Sequence, residues 1–186
     1  MSRRIEPVFT IADLDVMPED GNRYEVIEGE LFVSRAPSVT HQIVLINIIS
    51  SIQTHLGQYP LGFLIPGPGV VFSEFSGVIP DLIFVRNDRR DEVISGERIV
   101  AAPDLIIEII SPGPENQRRD RVTKRRLYGK YMVKEYCVVD PSARTVEVYA
   151  LDGQTLRLVN TFAEEDRIVS TVLPAYRASA ASFFSI

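Results

Sequence analysis

The sequence has few of the residue types that define several large classes of protein. It contains no tryptophan, two histidines and a single cysteine, Cys137, which excludes an internal disulfide framework. Its apolar runs are far shorter than the roughly 20 residues that a membrane-spanning helix needs. The opening residues, MSRRIEPVFTIADLD, lack the apolar segment of a signal peptide. We therefore expect a cytoplasmic protein that makes no contact with a membrane.

Positive charge is also scarce, because 20 Lys and Arg residues face 25 Asp and Glu, for a net charge of −5. General nucleic-acid binders usually carry a positive field, so the overall charge argues against that class. The rest is ordinary globular material, 45% hydrophobic and 24% charged. The length of 186 residues suits one core. We predict a single domain over residues 1–186.

Hydrophobic periodicity predicts a mixture of strands and helices. RYEVIEGELFVS is typical of a hairpin that turns at Glu28 and Gly29. Ser38 is a good N-cap for a helix whose apolar face comprises His41, Leu45, Ile48, Ile52 and Leu56, widened by Ile43, Ile46 and Ile49. A second helix is predicted over residues 118–131. Strands are predicted at VVFSEF, VIPDLIFVR, PDLIIEIIS, KEYCVVD, TVEVYAL and LRLVNTF. This order implies an α/β (α+β) core with a mixed sheet flanked by helices.

The strand PDLIIEIIS contains an acid, Glu108, between pairs of isoleucines that indicate burial on both faces. An ionised carboxylate buried without a partner costs several kcal/mol or takes up a proton. Asp81 begins another apolar strand earlier in the chain, in IPDLIFVR. If the two strands are neighbours, both carboxylates can bind one Mg²⁺ or Mn²⁺, since such hard cations take oxygen ligands. Asp104 is too far along the strand from Glu108 to share that ion, and we expect a strand-entry residue there.

These segments resemble a known family. Pro80-Asp81 followed by a glutamate in an apolar strand is similar to the PD-(D/E)XK nuclease superfamily, although Ile110 stands where that pattern has a lysine. The wider series YEVIEGEL, APSVTHQ, IPDLIFV, PDLIIEIISPG, DRVTKRRLY and VKEYCVVDP resembles the Uma family of restriction-endonuclease-like proteins over roughly residues 23–150. That family usually has a glycine near Met132 and a tryptophan near Cys137.

The resemblance implies a restriction-endonuclease-like core with an added N-terminal hairpin and extra C-terminal strands. It implies metal-dependent cleavage of DNA, with Asp81, Glu108 and the main-chain carbonyl of Ile109 as ligands of Mg²⁺ or Mn²⁺. The active-site lysine of the family lies on the following helix, and Lys124 matches it. Spacings of four place Asp120, Lys124 and Tyr128 on one helix face. His41 matches the family's HQ and is a further candidate catalytic residue, while a satisfied core histidine is the alternative. Glu30 is a weaker carboxylate candidate, for which a solvated hairpin position is favoured.

The segment around the predicted second helix is the one strongly positive stretch of this acidic sequence. Its cations are Arg118, Arg119, Arg121, Lys124, Arg125, Arg126, Lys130 and Lys134. We predict that Arg118, Arg119, Arg121 and Arg125 contact nucleic-acid phosphates, although such a run is often only a solvated face. The apolar tail, VLPAYRASAASFFSI, can pack against a partner subunit, and with the family analogy it leads us to expect a homodimer.

Two alternatives remain open from the sequence. One is a non-catalytic nucleic-acid-binding or assembly module in which Lys124 is only the counter-ion of Glu108. The other is a metallohydrolase that acts on a small molecule in the same pocket. Binding of a divalent ion through Asp81 distinguishes the nuclease from the inert module.

Overall fold

The computed structural model describes residues 8–185. Its strands are β1 (Arg23–Ile27), β2 (Glu30–Ser34), β3 (Gly62–Pro66), β4 (Val70–Ser73), β5 (Ser76–Val78), β6 (Leu82–Arg86), β7 (Ile94–Ser95), β8 (Arg98–Ile99), β9 (Leu105–Ile109), β10 (Glu135–Asp140), β11 (Thr145–Asp152), β12 (Thr155–Ala163), β13 (Arg167–Ile168) and β14 (Ala178–Ser179). Its α-helices are α1 (Ile11–Leu14), α2 (Val39–Gln58), α3 (Arg90–Val93), α4 (Pro114–Arg118) and α5 (Arg125–Lys130). A π-helical turn, Arg119–Lys124, joins α4 to α5, and short 3-10 helices cover Asn87–Arg89 and Ala180–Phe184.

A mixed six-stranded sheet forms the centre, in the order β12-β11-β10-β9-β6-β3. Only the β9–β10 pair is parallel, and the helical segment between those strands provides the crossover that a parallel pair requires. A second six-stranded sheet has the order β2-β1-β5-β4-β8-β7, and β13 pairs with β14. The predicted mixed sheet flanked by helices is therefore confirmed.

The predicted hairpin and first helix are present. β1 and β2 pair in register from Arg23–Ser34 to Ile27–Glu30, and the turn between them has positive φ at Glu28 and Gly29. Positive φ at both central residues gives a two-residue hairpin the twist of its strands. The Ser38 side chain accepts a hydrogen bond from the main-chain nitrogen of His41, which caps α2. The prediction that Ile46 widens the buried apolar face of this helix is wrong, because its side chain is 64% exposed.

The central sheet is covered on both faces. Alternation along β9 sends Leu105, Ile107 and Ile109 into a core formed with α2 and the C-terminal segment. Ile106 and Ile110 enter the opposite core, which includes Leu127 and Tyr128 of α5. Glu108 belongs to this second face by the same alternation. Its surroundings are therefore α5 and the second sheet.

The C-terminal tail packs on its own chain. Val172, Leu173, Tyr176, Phe183 and Phe184 are all buried in the core beside α2. The expectation that this tail covers a partner subunit is corrected, because its apolar side chains already fill an intramolecular core. A homodimer stays a prediction that rests on family analogy. Within residues 8–185, no helix is long and apolar enough to cross a membrane.

Candidate active site

The two carboxylates predicted to meet do so at the end of adjacent strands. β6 and β9 are antiparallel, with Leu82 opposite Ile107 and Ile83 opposite Ile106. Continuing this register by one residue places Asp81 opposite Glu108. Residues directly opposite each other share a face, with Cβ atoms about 4.5–5.5 Å apart. Both side chains are buried, and both line one small cavity.

Asp81 is held as an ionised carboxylate. Its Oδ2 accepts a hydrogen bond from the main-chain nitrogen of Ile109 at 2.8 Å and lies 3.0 Å from Nε2 of His41. Its Oδ1 accepts from Arg23 at 3.3 Å. Burial acts to raise the pKa of Asp81, but the hydrogen bonds from His41 and Ile109 keep this pKa below its ordinary value. An ionised carboxylate can only accept, so Nε2 of His41 donates. His41 therefore faces the site.

Glu108 has the lysine partner that its burial requires. Its Oε1 accepts from Nζ of Lys124 at 2.9 Å and from the hydroxyl of Tyr128 at 2.7 Å. Burial raises the pKa of Glu108 to about 8, Lys124 opposes the rise, and the carboxylates of Asp81 and Asp120 add to it. Burial acts to lower the pKa of Lys124, but the neighbouring carboxylates raise it above its usual range. Lys124 therefore carries a positive charge and lies among buried carboxylates.

The predicted helix face is confirmed, with a local irregularity. Asp120, Lys124 and Tyr128 are all buried. Asp120 and Lys124 lie in the π-helical turn, a rare geometry that is frequent at functional sites. Asp120 pairs with Arg119 at 2.8 Å, and its main-chain oxygen accepts from the hydroxyl of Tyr136 at 3.0 Å. This turn brings Lys124 beside Glu108, whereas position 110 on the strand itself is an isoleucine.

Glu25 is a site residue that the sequence reasoning missed. It lies on β1, is 3% exposed, and its Oε1 contacts Nζ of Lys124 at 2.8 Å. The same oxygen accepts from the main-chain nitrogen of Ile79 at 2.7 Å. The sequence pattern that could have identified Glu25 is an acid between apolar strand residues, which is also the pattern that identified Glu108. Glu30, the carboxylate considered instead, is exposed.

Three arginines also line the cavity: Arg23 and Arg35, which the sequence reasoning missed, and Arg119, which was predicted to contact phosphates. The cavity has a volume of about 30 Å³. Small-molecule pockets usually measure roughly 300–1,000 Å³, so this space suits an ion or a few waters beside an externally bound phosphate. The alternative of a small-molecule hydrolase at this site loses support.

The cationic segment is mostly neutralised by acids of the same chain. Six of its eight cations form ion pairs, namely Arg119, Arg121, Lys124, Arg126, Lys130 and Lys134. Of the four arginines predicted to bind nucleic acid, Arg118 is exposed and Arg125 lies 5.1 Å from the ring centroid of Tyr149. Asp140 and Glu147 pair with Arg121, and Asp120 pairs with Arg119, so these two arginines already have acid partners. The contacts of the four arginines with phosphates stay a prediction.

Asp104 occupies a separate structural site. It precedes β9, is fully buried, and pairs with Arg89 at 3.0 Å and with Lys134 at 2.7 Å. It also accepts from the main-chain nitrogen of Arg86 at 3.0 Å. Its position at the opposite end of β9 from the cavity agrees with the predicted strand-entry role.

The residues present fit a hard divalent cation. No three His, Cys, Asp or Glu side chains of residues 8–185 are arranged to hold a metal by themselves. Mg²⁺, however, commonly uses one or two carboxylates and keeps several waters, which suits Asp81, Glu108 and the Ile109 carbonyl. Glu108 Oε2 accepts no hydrogen bond from the described residues. Burial is the main cause of the raised pKa of Glu108, and the carboxylates of Asp81 and Asp120 add to it; a bound cation would offset that negative charge.

Comparison with known proteins shows a family and a fold. A family model described as "Uma2: Putative restriction endonuclease" matches residues 11–181. The crystal structure of "a putative nuclease belonging to DUF820" from Anabaena variabilis has a TM-score of 0.75 and 22% identity, covering 95% of this chain and 97% of that one. The type IIG restriction endonuclease BpuSI has a TM-score of 0.43 and 14% identity, covering 81% of this chain and 16% of its own. No curated protein matches the sequence. The likeness to the Anabaena structure confirms the restriction-endonuclease-like fold.

Proposed function

This chain belongs to the Uma2 family, and on that premise we propose that it is a metal-dependent endonuclease that hydrolyses phosphodiester bonds of DNA. The observation that carries the proposal is the pairing of Asp81 with Glu108 across adjacent strands, beside a fully buried lysine. The site combines two carboxylates, an ammonium donor and arginines around one ion-sized cavity. These are the groups that phosphodiester hydrolysis requires.

Each residue has a role that follows from its contacts. Asp81, Glu108 and the Ile109 carbonyl would hold Mg²⁺ or Mn²⁺. When bound, such an ion supplies Lewis-acid polarisation of a phosphoryl oxygen and lowers the pKa of a water. Lys124 orients the attacking water or stabilises charge that develops on the phosphate, because its ammonium group is fixed beside Glu108. His41 keeps Asp81 ionised and oriented through its hydrogen bond.

The arginines at the cavity supply the contacts to the scissile phosphate. Arg35 is exposed, and the side chain of Arg23 is 33% exposed. Guanidinium groups match phosphate oxygens in a bidentate manner, so these side chains can position a strand without reading its bases. Arg23 also contacts Asp81 at 3.3 Å, so its guanidinium group lies directly beside the proposed metal ligand.

Metal titration of the wild type and of Asp81→Asn tests the proposal. Asparagine keeps the shape and an acceptor oxygen but loses the charge, so Mg²⁺ and Mn²⁺ binding by calorimetry is expected only for the wild type. Metal-dependent cutting of plasmid or single-stranded DNA is expected to follow the same pattern. Asp88→Asn, at an exposed ion pair, is the matched control and retains both properties. Metal-dependent cutting that persists in Asp81→Asn contradicts the proposed ligand.

A non-catalytic nucleic-acid-binding or assembly module is the second candidate. The observation that favours it is the pairing of Lys124, which is 2% exposed, with two buried carboxylates, Glu25 and Glu108, both within 3 Å. Such a buried ion pair can be purely structural. This alternative predicts no divalent-ion binding and no cutting by either the wild type or Asp81→Asn.

A further inference from the structure

A second cleft lies at the other end of α2. Its walls are the C-terminal half of that helix, the segment 175–182 and Arg167. Its volume is about 610 Å³, within the usual range for ligand sites. His41, at the active site, and His55, in this cleft, are separated by about 21 Å along the helix at 1.5 Å per residue. The cleft is therefore distinct from the catalytic cavity.

Two arginines, Arg167 and Arg177, are the charged residues that line the cleft, and the acids Glu164, Glu165 and Asp166 directly precede Arg167 in the chain. Arg167 and Arg177 are exposed, and neither forms an ion pair with an acid of residues 8–185. Among the described residues, Arg177 donates only to the main-chain oxygen of Tyr176, at 2.6 Å. No Asp or Glu of the described residues lines the cleft, although Glu165 lies 3.5 Å from the Ser179 hydroxyl at its rim. These two guanidinium groups are free for phosphate, unlike most of the cationic helical segment.

An aromatic platform completes the cleft. Tyr59 is 46% exposed and stacks on His55, with ring centroids 4.9 Å apart. His55 in turn meets the edge of Tyr176 at 5.4 Å. Tyr176 is buried, and its hydroxyl lies 2.8 Å from that of Ser51. Tyr59 is therefore an exposed ring supported by His55 and Tyr176. The cleft is also lined by hydroxyl and amide groups of Asn47, Ser50, Thr54, Gln58, Ser179 and Ser182.

We propose that this cleft binds single-stranded nucleic acid, with phosphates at Arg167 and Arg177 and an unpaired base on Tyr59. Cationic side chains beside an exposed aromatic ring are the elements of sequence-tolerant single-strand binding. Paired bases present no free face to such a ring, so the unpaired form is preferred. This inference rests on the proposed nuclease function and adds the strand form of the substrate. The cleft would hold a strand segment away from the catalytic cavity, toward the C-terminal end of α2.

Fluorescence anisotropy with short single-stranded DNA and RNA oligonucleotides tests the cleft in the presence of a metal chelator, so that binding is separated from cutting. Arg167→Gln/Arg177→Gln is expected to weaken binding at least about tenfold at low salt, and to reduce the slope of log affinity against log salt by about 1.4. Tyr59→Ala is expected to weaken it about fivefold or more, whereas Tyr59→Phe keeps the ring and the affinity. Arg90→Gln/Arg157→Gln removes the same charge from exposed positions outside both sites and is the control.

The outcomes separate this inference from the nuclease proposal. Loss of binding in the cleft variants, with the control unchanged, supports the inference whether or not the protein cuts. Equal binding by the wild type and the cleft variants overturns it and leaves metal-dependent cutting through Asp81 untouched. A wild type that binds no single strand, or a mononucleotide that competes as strongly as the oligonucleotide, also overturns it.

Discussion

Glu108 makes the stability of the metal-free protein depend on pH. Its folded-state pKa of about 8 lies above its ordinary value of 4.5, so the folded protein keeps a proton that the unfolded chain releases between these values. The contribution of Glu108 to the free energy of unfolding is therefore greatest below the lower value and falls as pH rises through this window. We expect Glu108→Gln to flatten that decline in chemical unfolding measured at several pH values.

The same titration controls metal binding. Ionised Glu108 is needed as a ligand, so the apparent affinity for Mg²⁺ is expected to rise with pH up to about 8 and then level off. Glu115→Gln, at an exposed position of α4, is the control for both measurements. An unfolding profile that is identical for the wild type and Glu108→Gln contradicts the raised pKa.

Substitution of Lys124 distinguishes a catalytic role for this residue from a purely structural ion pair with Glu108. Lys124→Met keeps most of the side-chain volume but removes the donor beside Glu108. If Lys124 stabilises the reacting phosphate or its water, DNA cutting is expected to fall by about 10²–10³-fold, the usual effect of losing one such donor. Calorimetry should still detect Mg²⁺ binding, because Asp81 and Glu108 remain. Lys130→Met, at an exposed position, is the control, and unchanged cutting by Lys124→Met contradicts the role.

Among the elements, α5 ends in a strained conformation. Met132 has φ of 66°, in the left-handed region, and its main-chain nitrogen donates to the oxygen of Gly129 at 3.0 Å. A non-glycine residue there costs roughly 1–2 kcal/mol, and Met132 is 51% exposed, so its side chain contributes little packing. The glycine that the family usually has near this position is explained by this helix end.

Met132→Gly is therefore expected to stabilise the protein by about 1 kcal/mol, as measured by urea unfolding. Gln53→Gly is the control, because it introduces a glycine in the interior of α2 instead of at a helix end. This variant is expected to destabilise the protein by about 1 kcal/mol. A Met132→Gly variant no more stable than the wild type contradicts the strain at this helix end.

At the scale of the whole molecule, the C-terminal segment completes the core beside α2. Phe183 is 3% exposed and belongs to the same hydrophobic cluster as Ile48 and Ile52. Phe183→Ala is expected to lower the free energy of unfolding by about 3–5 kcal/mol, the range for a buried phenylalanine. Phe75→Ala, at a 43% exposed side chain, is expected to change it by about 0.5 kcal/mol or less. Sedimentation should show the same oligomeric state for both variants. A change of oligomeric state in Phe183→Ala alone would contradict the packing of Phe183 within its own chain.

The sequence by itself determined the order of the main elements and the acids that need partners. Period-two and period-3.6 patterns located the hairpin, α2, the helical segment after β9 and the closing strands, because each pattern depends only on near neighbours. The glutamate between isoleucines identified Glu108 for the same reason. Shorter elements, such as β7, β8 and the 3-10 helix Asn87–Arg89, were missed because two or three residues carry no period.

Only the tertiary structure decided which side chains meet. Glu25 and Arg23 reach Lys124 and Asp81 from β1, which is far away in sequence, and nothing local marks those contacts. The charge of the helical segment was misjudged because its partners Asp140 and Glu147 lie on β10 and β11. The C-terminal tail was expected to pack against a partner subunit because its apolar composition indicates that it is buried. The sequence does not show which surface buries it. Local periodicity is fixed by neighbouring residues, whereas burial and charge compensation depend on contacts between distant segments, which form only when the chain folds.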